Sequence, residues 1–290
     1  MKQASDLESL ELLRTGTFLD SFVGGLPEGK VVELWGRWSS GKSTLALQIV
    51  SGLQKNKKKC VWVSIEGFDA KYATSIGVDT KKLGIIAHEF SEDALDEALK
   101  ELRTGNHDVI IVDSIGAITP KAEMEKSVGE ITMAGQSKVI ARFLRNIAPL
   151  HTMGNKTAVV VLNQQTMNFN TGRAMPRGGE AAGHFKDLSI NLTPNGTTIK
   201  ESGNIIGKEI NIQVDKSKIF GVPERKKRTV DFFFGRGFDS SNDLLEEALL
   251  KEIITKDGSH FFFKGEKIAY GMPKMRAWME ENAEKIKALL

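Results

Sequence analysis

This chain of 290 residues is poor in the features that mark secreted, metal-stapled or membrane-spanning proteins. It has one cysteine, Cys60, so no internal disulfide can form, and nothing in the sequence suggests zinc. Set between Lys59 and Val61 at the start of an apolar run, Cys60 reads as a packing residue rather than a nucleophile. No apolar run reaches the about 18 residues of a membrane span, and Met1-Lys2-Gln3-Ala4-Ser5-Asp6 lacks the apolar stretch of a secretory signal. These absences predict a cytoplasmic chain with no membrane partner. Net charge is small as well: +3 at pH 7 cannot by itself argue for nucleic-acid binding. Two dense basic runs stand out locally, Lys55-Asn56-Lys57-Lys58-Lys59 and Arg225-Lys226-Lys227-Arg228. A solvated helix end and a solvated hairpin explain them as well as phosphate contacts do. No internal repeat is visible.

What is there is an ordinary globular composition, 40% hydrophobic and 27% charged, long enough for one large core and a small appendage. The most informative segment is Gly36-Arg37-Trp38-Ser39-Ser40-Gly41-Lys42-Ser43-Thr44, directly after the apolar run Val31-Val32-Glu33-Leu34-Trp35 and before a helix predicted over Ser43 to Gln54. It fits G-x-x-x-x-G-K-[ST] in the strand-then-helix setting that a phosphate loop needs. In such a loop the glycines allow a tight turn whose N–H groups face a triphosphate, Lys42 reaches the β- and γ-phosphates, and Ser43 ligates Mg²⁺. A nucleoside triphosphate and Mg²⁺ are the expected ligands.

Apolar runs at Val31–Trp35, Val61–Ile65, Gly84–Phe90, Val109–Val112 and Ala158–Leu162 alternate with segments of helical period, which predicts an α/β fold with a mostly parallel central sheet flanked by helices. Later runs at Leu188–Leu192, Ile210–Val214 and Thr229–Phe234, separated by turn residues such as Pro194-Asn195-Gly196 and Gly221-Val222-Pro223, suggest antiparallel additions to one edge. Beyond Gly237 a helix, a short Phe261-Phe262-Phe263 strand and a final helix from about Met275 to Leu290 form a small α+β unit. The expected domains are an N-terminal segment 1–22 suited to subunit docking, an ATPase core 23–237 and a C-terminal domain 238–290. In the first of these Leu7, Leu10, Leu12 and Leu13 could share one face of a short helix.

Asp108-Val109-Ile110-Ile111-Val112-Asp113 is an apolar strand ending in a carboxylate, the place where a phosphate-loop enzyme holds Mg²⁺ through water, so Asp113 is the metal-site candidate. Val61-Trp62-Val63-Ser64-Ile65-Glu66 ends another strand in an acid. Glu66 could orient or deprotonate an attacking water; a helix-start acid is the plainer alternative.

The order of these motifs resembles the bacterial RecA recombinases, including their phage-encoded relatives. The resemblance runs from about Leu13 to Leu290 and rests on Gly25-Leu26-Pro27-Glu28-Gly29-Lys30, Ser39-Ser40-Gly41-Lys42-Ser43 and Val112-Asp113-Ser114-Ile115-Gly116-Ala117-Ile118-Thr119-Pro120-Lys121-Ala122-Glu123, with Lys264-Gly265-Glu266-Lys267-Ile268 and Ala277-Trp278 near the end. It implies a RecA-like ATPase core and places Glu66 at the water-activating glutamate, with a loop to Asp69 one residue shorter than in the family. Tyr72 and Asp69 fall at the pair that stacks on adenine and contacts its amino group, and Gln164 at the group that senses the γ-phosphate. Two DNA loops are implied, Lys126 to Met133 and Gln165 to Gly179, with Met133 and Phe169 as apolar wedges between bases and Arg173 and Arg177 in the second loop. Lys138 and Arg145, on one predicted helix face, correspond to groups that grip the DNA backbone, and Lys264 and Lys267 in the C-terminal domain are further DNA candidates. Lys216 and Lys218 resemble a pair that reaches across a subunit interface to the neighbour's triphosphate.

This likeness implies an ATP-dependent recombinase that assembles as a helical filament on single-stranded DNA and exchanges it with a homologous duplex. The sequence departs from the family pattern at Thr166 and Asn168, where basic residues are usual. The short stretch before Arg14-Thr15-Gly16 implies a weaker or differently built filament interface, and the missing acidic tail implies less restraint on duplex binding. Both fit a compact, phage-borne version. Two rival functions are a RecA-fold motor of the helicase type and an ATP-binding regulator of another recombinase's filament.

Overall fold

The computed structural model of the chain describes residues 11–124, 135–168, 172–287 and Leu289. In chain order the larger part contains β1 (Leu12–Leu13), α1 (Leu19–Val23), β2 (Leu26–Pro27), β3 (Val31–Gly36), α2 (Lys42–Lys55), β4 (Cys60–Ser64), α3 (Ala70–Ser75), β5 (Gly84–Ile86), α4 (Ser91–Thr104), β6 (Val109–Asp113), α5 (Lys121–Met124) and α6 (Gly135–Thr152). It continues through β7 (Ala158–Met167), β8 (Ala174–Pro176), α7 (Gly179–Gly183), β9 (Leu188–Glu201), β10 (Asn204–Ser217), β11 (Lys227–Phe233) and β12 (Gly237–Phe238). A smaller part follows, with α8 (Ser241–Leu250), β13 (Ile254–Asp257), β14 (His260–Phe263), β15 (Glu266–Tyr270) and α9 (Gly271–Lys287).

The central sheet has the order β12-β11-β10-β9-β3-β7-β6-β4-β5, with β8 paired to an extension of β7. All neighbours from β9 to β5 run parallel. Their alternation sends side chains to two covered faces, which is why the strands read as unbroken apolar runs. Val32, Leu34, Trp62, Ile111, Val160 and Leu162 pack with α1 and α2, while Val31, Val63, Ile110, Val112, Val159 and Val161 pack with α4 and α6. Each fully buried Leu or Ile contributes about 1.5–3 kcal/mol through apolar burial. Cys60 belongs to the first of these clusters, and burial pushes its thiol up to about 12, so it packs and does not react.

The structure redraws several expected elements. Leu12 and Leu13 are not helical: they are extended and pair with Leu26–Pro27, because the buried Leu13 side chain joins the core from a strand that lies against Leu26. The expected strand over Gly84–Phe90 ends at Ile86, and the chain turns into α4 at Ser91. Leu188–Leu192 is parallel to β3, not an antiparallel addition; only β10, β11 and β12 extend the edge antiparallel. Pro194-Asn195-Gly196 does not end a strand. The register passes from Lys208↔Thr198 to Ile210↔Pro194, so these residues form a bulge within the long β9–β10 hairpin.

Two local features seat the phosphate-loop end of the sheet. Phe18, Phe232 and Phe238 form an aromatic group, with Phe238 centroids 5.3 Å from Phe18 and 5.0 Å from Phe232. Gln48 of α2 clamps β12 by exchanging two hydrogen bonds of 2.9 Å with the Phe238 backbone. The small C-terminal part has its own three-stranded sheet and its own core of Leu245, Ile254, Phe261, Met275, Met279 and Ile286, and meets the larger part through Arg276 and Asp231 at 3.4 Å.

Candidate functional site

Gly36 to Thr44 wraps from the end of β3 into α2 at the carboxyl edge of the parallel strands. Gly41 makes this turn at φ +87, and a Cβ there would stand 2.9 Å from the Phe238 ring, so only glycine fits between loop and aromatic floor. Arg37, Trp38 and Ser39 are exposed, whereas Ser40 and Thr44 are buried. The Lys42 ammonium folds back into the loop, donating to the Gly36 and Arg37 carbonyls at 3.3 and 2.7 Å and to Ser40 Oγ at 3.5 Å. Burial holds its pKa below the usual lysine value, opposed by Asp113 and Glu66.

Asp113 ends β6 beside Ser43. Burial pushes its carboxyl up to about 6, with the Ser43 hydroxyl pulling it back, Glu66 pushing it further up and Lys42 lowering it. A hydroxyl and a buried carboxylate with an unmet preference for positive charge form the hard oxygen donor set that suits Mg²⁺, and the loop with Lys42 suits a triphosphate. The residues present therefore fit both groups. Glu66, exposed after β4, accepts from the Ser114 hydroxyl and from Gln164 Nε2 at 3.0 Å. Its backbone N–H and that of Ile65 reach the Asp113 carbonyl at 3.3 and 2.8 Å, so both acids are carried on one backbone junction.

Asp69 and Tyr72 stand beside this site with structural partners of their own. Asp69 caps α3, its Oδ1 accepting from the Lys71 and Tyr72 N–H groups at 2.9 and 3.0 Å, and the Tyr72 hydroxyl pairs with Thr44 Oγ1 at 2.7 Å.

Gln164 lies on β7, level with Gly36 of the phosphate loop in the parallel register. The chain beyond it is not an irregular loop: Gln165–Met167 pairs with Ala174–Pro176, so the expected second DNA loop leaves the sheet as a β-hairpin. Strand pairing continues because residues 164–168 contain neither Gly nor Pro. Arg173 is exposed near the tip. Arg177 turns inward: its N–H donates to the Gln164 carbonyl at 3.1 Å and its guanidinium to the Gly116 carbonyl at 2.9 Å.

Lys138 and Arg145 are both exposed on α6, and the Arg145 guanidinium lies 5.9 Å from the Phe185 ring centre. Lys264 and Lys267 sit at the β14–β15 turn, over the Phe263 and Tyr270 rings at 5.6 and 5.8 Å. Met133, Phe169, the Lys126 to Met133 segment and the tip residues 169–171 lie outside the described residues, as do Leu7 and Leu10. Lys216 and Lys218 point away from their own chain's phosphate loop. Their ammonium groups reach the Gly183 and His184 carbonyls at 2.5 and 2.9 Å; through β9, Lys216 lies level with Glu33 in the middle of β3, and Lys218 bonds Asp187 at the start of that strand. Burial and the neighbouring Lys218 hold the Lys216 pKa below the usual value.

Four participants escaped the sequence reading. Ser114 donates to Glu66, and Lys208, on β10, donates to the Ser39 carbonyl at 2.6 Å while lying over Phe232 and Phe234. Glu33 and Lys186 form a fully buried ion pair at 2.5 Å. The available signal was a lone acid inside the apolar run Val31–Trp35, whose partner lies far along the chain.

Comparison with known proteins agrees with this geometry. The RecA N-terminal domain matches residues 2–239, and the RecA C-terminal domain matches residues 242–289. The Protein RecA of Campylobacter lari is 32% identical over 287 residues, covering 97% of this chain and 82% of that protein. The Protein RecA of Ureaplasma parvum serovar 3 is 33% identical over 284 residues, covering 96% and 84%. With a phosphate loop, a strand-end acid pair and both domains in sequence, the chain belongs to the RecA family.

Proposed function

We propose that this protein is an ATP-dependent DNA recombinase that assembles on single-stranded DNA and exchanges it with a homologous duplex. One observation carries the reading beyond family membership. Gln164 touches Glu66 with its side chain, while its carbonyl receives the N–H of Arg177 from the returning strand of the hairpin. A single residue thus joins the site suited to a triphosphate with a projecting hairpin suited to DNA.

In this reading the Gly36–Thr44 loop and Lys42 hold the phosphates, and Ser43 and Asp113 hold Mg²⁺, which neutralises phosphate charge when bound. Glu66 orients the attacking water, Asp69 and Tyr72 border the base, and Gln164 senses the terminal phosphate. Lys216 and Lys218 serve the neighbouring subunit's site; their hydrogen bonds to the Gly183 and His184 carbonyls rather than to their own phosphate loop support that. Arg173, Lys138, Arg145, Lys264 and Lys267 supply cations toward DNA. Such contacts grip phosphate and base faces without reading sequence, so homology would be recognised by base pairing. No helix among the described residues is long and apolar enough to cross a membrane.

The test is strand exchange between a single-stranded oligonucleotide and a labelled homologous duplex with ATP and Mg²⁺, against a heterologous duplex. Homology-dependent displacement is expected. DNA-stimulated hydrolysis without displacement would overturn the recombinase reading.

A further inference from the structure

The buried Glu33–Lys186 pair has no part in the chemistry proposed above, yet it lines the same cavity as the returning strand of the hairpin. Lys186 Nζ donates to Glu33 Oε1 at 2.5 Å, and the Ser189 hydroxyl donates to Oε2 at 2.7 Å. The remaining link is Asn163, fully buried between them and the site. Its amide is completely committed: Nδ2 donates to Glu33 Oε1 at 2.7 Å and to the Arg177 carbonyl at 2.8 Å, and Oδ1 accepts from the Gln164 N–H at 2.8 Å. Asn163 therefore holds the residue before the hairpin, the residue after it and the buried ion pair at once.

The returning strand of the hairpin and the ion pair share a cavity of about 440 Å³, lined among others by Met175, Pro176, Glu33, Lys186, Asp215 and Lys216. A ladder over a cavity can shift without repacking a core, provided its two ends are guided. At the near end the guides are the Gln164 carbonyl and Asn163, and beside them the Arg177 guanidinium on the Gly116 carbonyl. Without Glu33 to fix it, the Asn163 amide could turn between the Gln164 N–H and the Arg177 carbonyl instead of carrying a shift from one to the other.

We propose that Asn163, clamped by the buried Glu33–Lys186 pair, is the positioning residue that converts a change at Gln164 into displacement of the hairpin. This rests on the reading of Gln164 as the nucleotide-sensing group. Asn163 touches no reacting atom in this scheme. Its effect is on coupling, with nucleotide affinity left in place.

The experiment is hydrogen exchange on the full chain without DNA, with and without a slowly hydrolysed ATP analogue and Mg²⁺, in the wild type, Asn163→Ala and Lys186→Arg. Amides in Gln165–Asn168 and Arg173–Arg177 should change their exchange by at least about fivefold on nucleotide binding in the wild type, the lower end of ordinary site-to-site coupling. Asn163→Ala should lose that response while its analogue affinity, measured by fluorescence, stays within about threefold, and Lys186→Arg, which keeps the pair, should retain it. If Asn163→Ala does not fold, Asn163→Ser replaces it, since its hydroxyl is too short to reach both Glu33 and Arg177. A wild-type hairpin insensitive to nucleotide, or a full response in the Asn163 variant, would overturn the proposal. Binding of oligo-dT, followed by anisotropy, separates the two claims: a hairpin response without DNA binding would leave this inference standing and remove the recombinase reading.

Discussion

Replacing Asp113 by Asn should make the metal-free protein more stable while disabling it. The Asp113 side chain is 8% exposed, and burial raises its carboxyl from the ordinary 3.8 to about 6. That rise is about two pH units, and at about 1.36 kcal/mol each the ionised carboxylate costs the folded state about 3 kcal/mol at neutral pH. The sign follows from proton binding: between about pH 4 and pH 6 the folded chain holds a proton that the unfolded chain has lost, so stability falls as pH rises through that window and levels off above it. Asn keeps the size of the side chain and a partner for Ser43 but carries no charge. Lys42 loses an attractive neighbour, which offsets part of the gain, so Asp113→Asn should add about 1–3 kcal/mol at pH 7.5, or about 2–6 °C of melting temperature for a chain of this length. Thermal unfolding in EDTA at pH 4.5 and pH 7.5 reads this, with the difference between variant and wild type small at the lower pH and large at the higher. Adding ATP and Mg²⁺ should then reverse the order: a ligand at a hundredfold its dissociation constant stabilises by about 2.7 kcal/mol, and the variant lacks the carboxylate needed to hold the metal. A variant less stable than the wild type at pH 7.5 in EDTA, or one with the same difference at both pH values, would refute the assignment of Asp113 as a buried anion awaiting a cation.

Three further outcomes are expected. Gly52→Ala, near the C-terminal end of α2, would normally strengthen a helix by up to about 1 kcal/mol. Here the added Cβ would stand 1.7 Å from the Thr15 carbonyl, so chemical denaturation should show a loss of at least about 2 kcal/mol. Glu66→Gln should cut DNA-stimulated hydrolysis by about 10²–10⁴ while ATP-dependent DNA binding persists; lost binding with intact turnover would contradict the assigned role. Mixing Lys216→Ala subunits with Glu66→Gln subunits should restore hydrolysis above either alone, because each supplies what the other lacks across an interface, and a mixture no more active than its parts would count against action in trans.

Much of the nucleotide end was legible because its determinants are local. The Gly36–Thr44 spacing, the apolar run ending in Asp113 and the run ending in Glu66 each specify a backbone path over a few residues, and the parallel sheet assembled from them brings strand ends to one edge. The apolar runs Val31–Trp35 and Ala158–Leu162 were equally readable as strand, though not which face each residue would meet, nor that the second continues to Met167. Short terminal pieces were less legible: Leu12 and Leu13 carry a spacing compatible with a helix, and only the partner strand at Leu26–Pro27 draws them into extended form.

Contiguous stretches carried the phosphate loop, the acid that ends β6 and the succession of strands and helices, and through these the family. What only the tertiary structure decided were partnerships between residues far apart in the chain. Glu33 meets Lys186 153 residues later, Lys208 reaches Ser39 across 169, and Arg177 returns to Gly116 across 61. No local propensity encodes such pairs. The Glu33–Lys186 pair arises because a charge buried within the covered faces of one sheet is costly without a complement, which the fold brings from far along the chain.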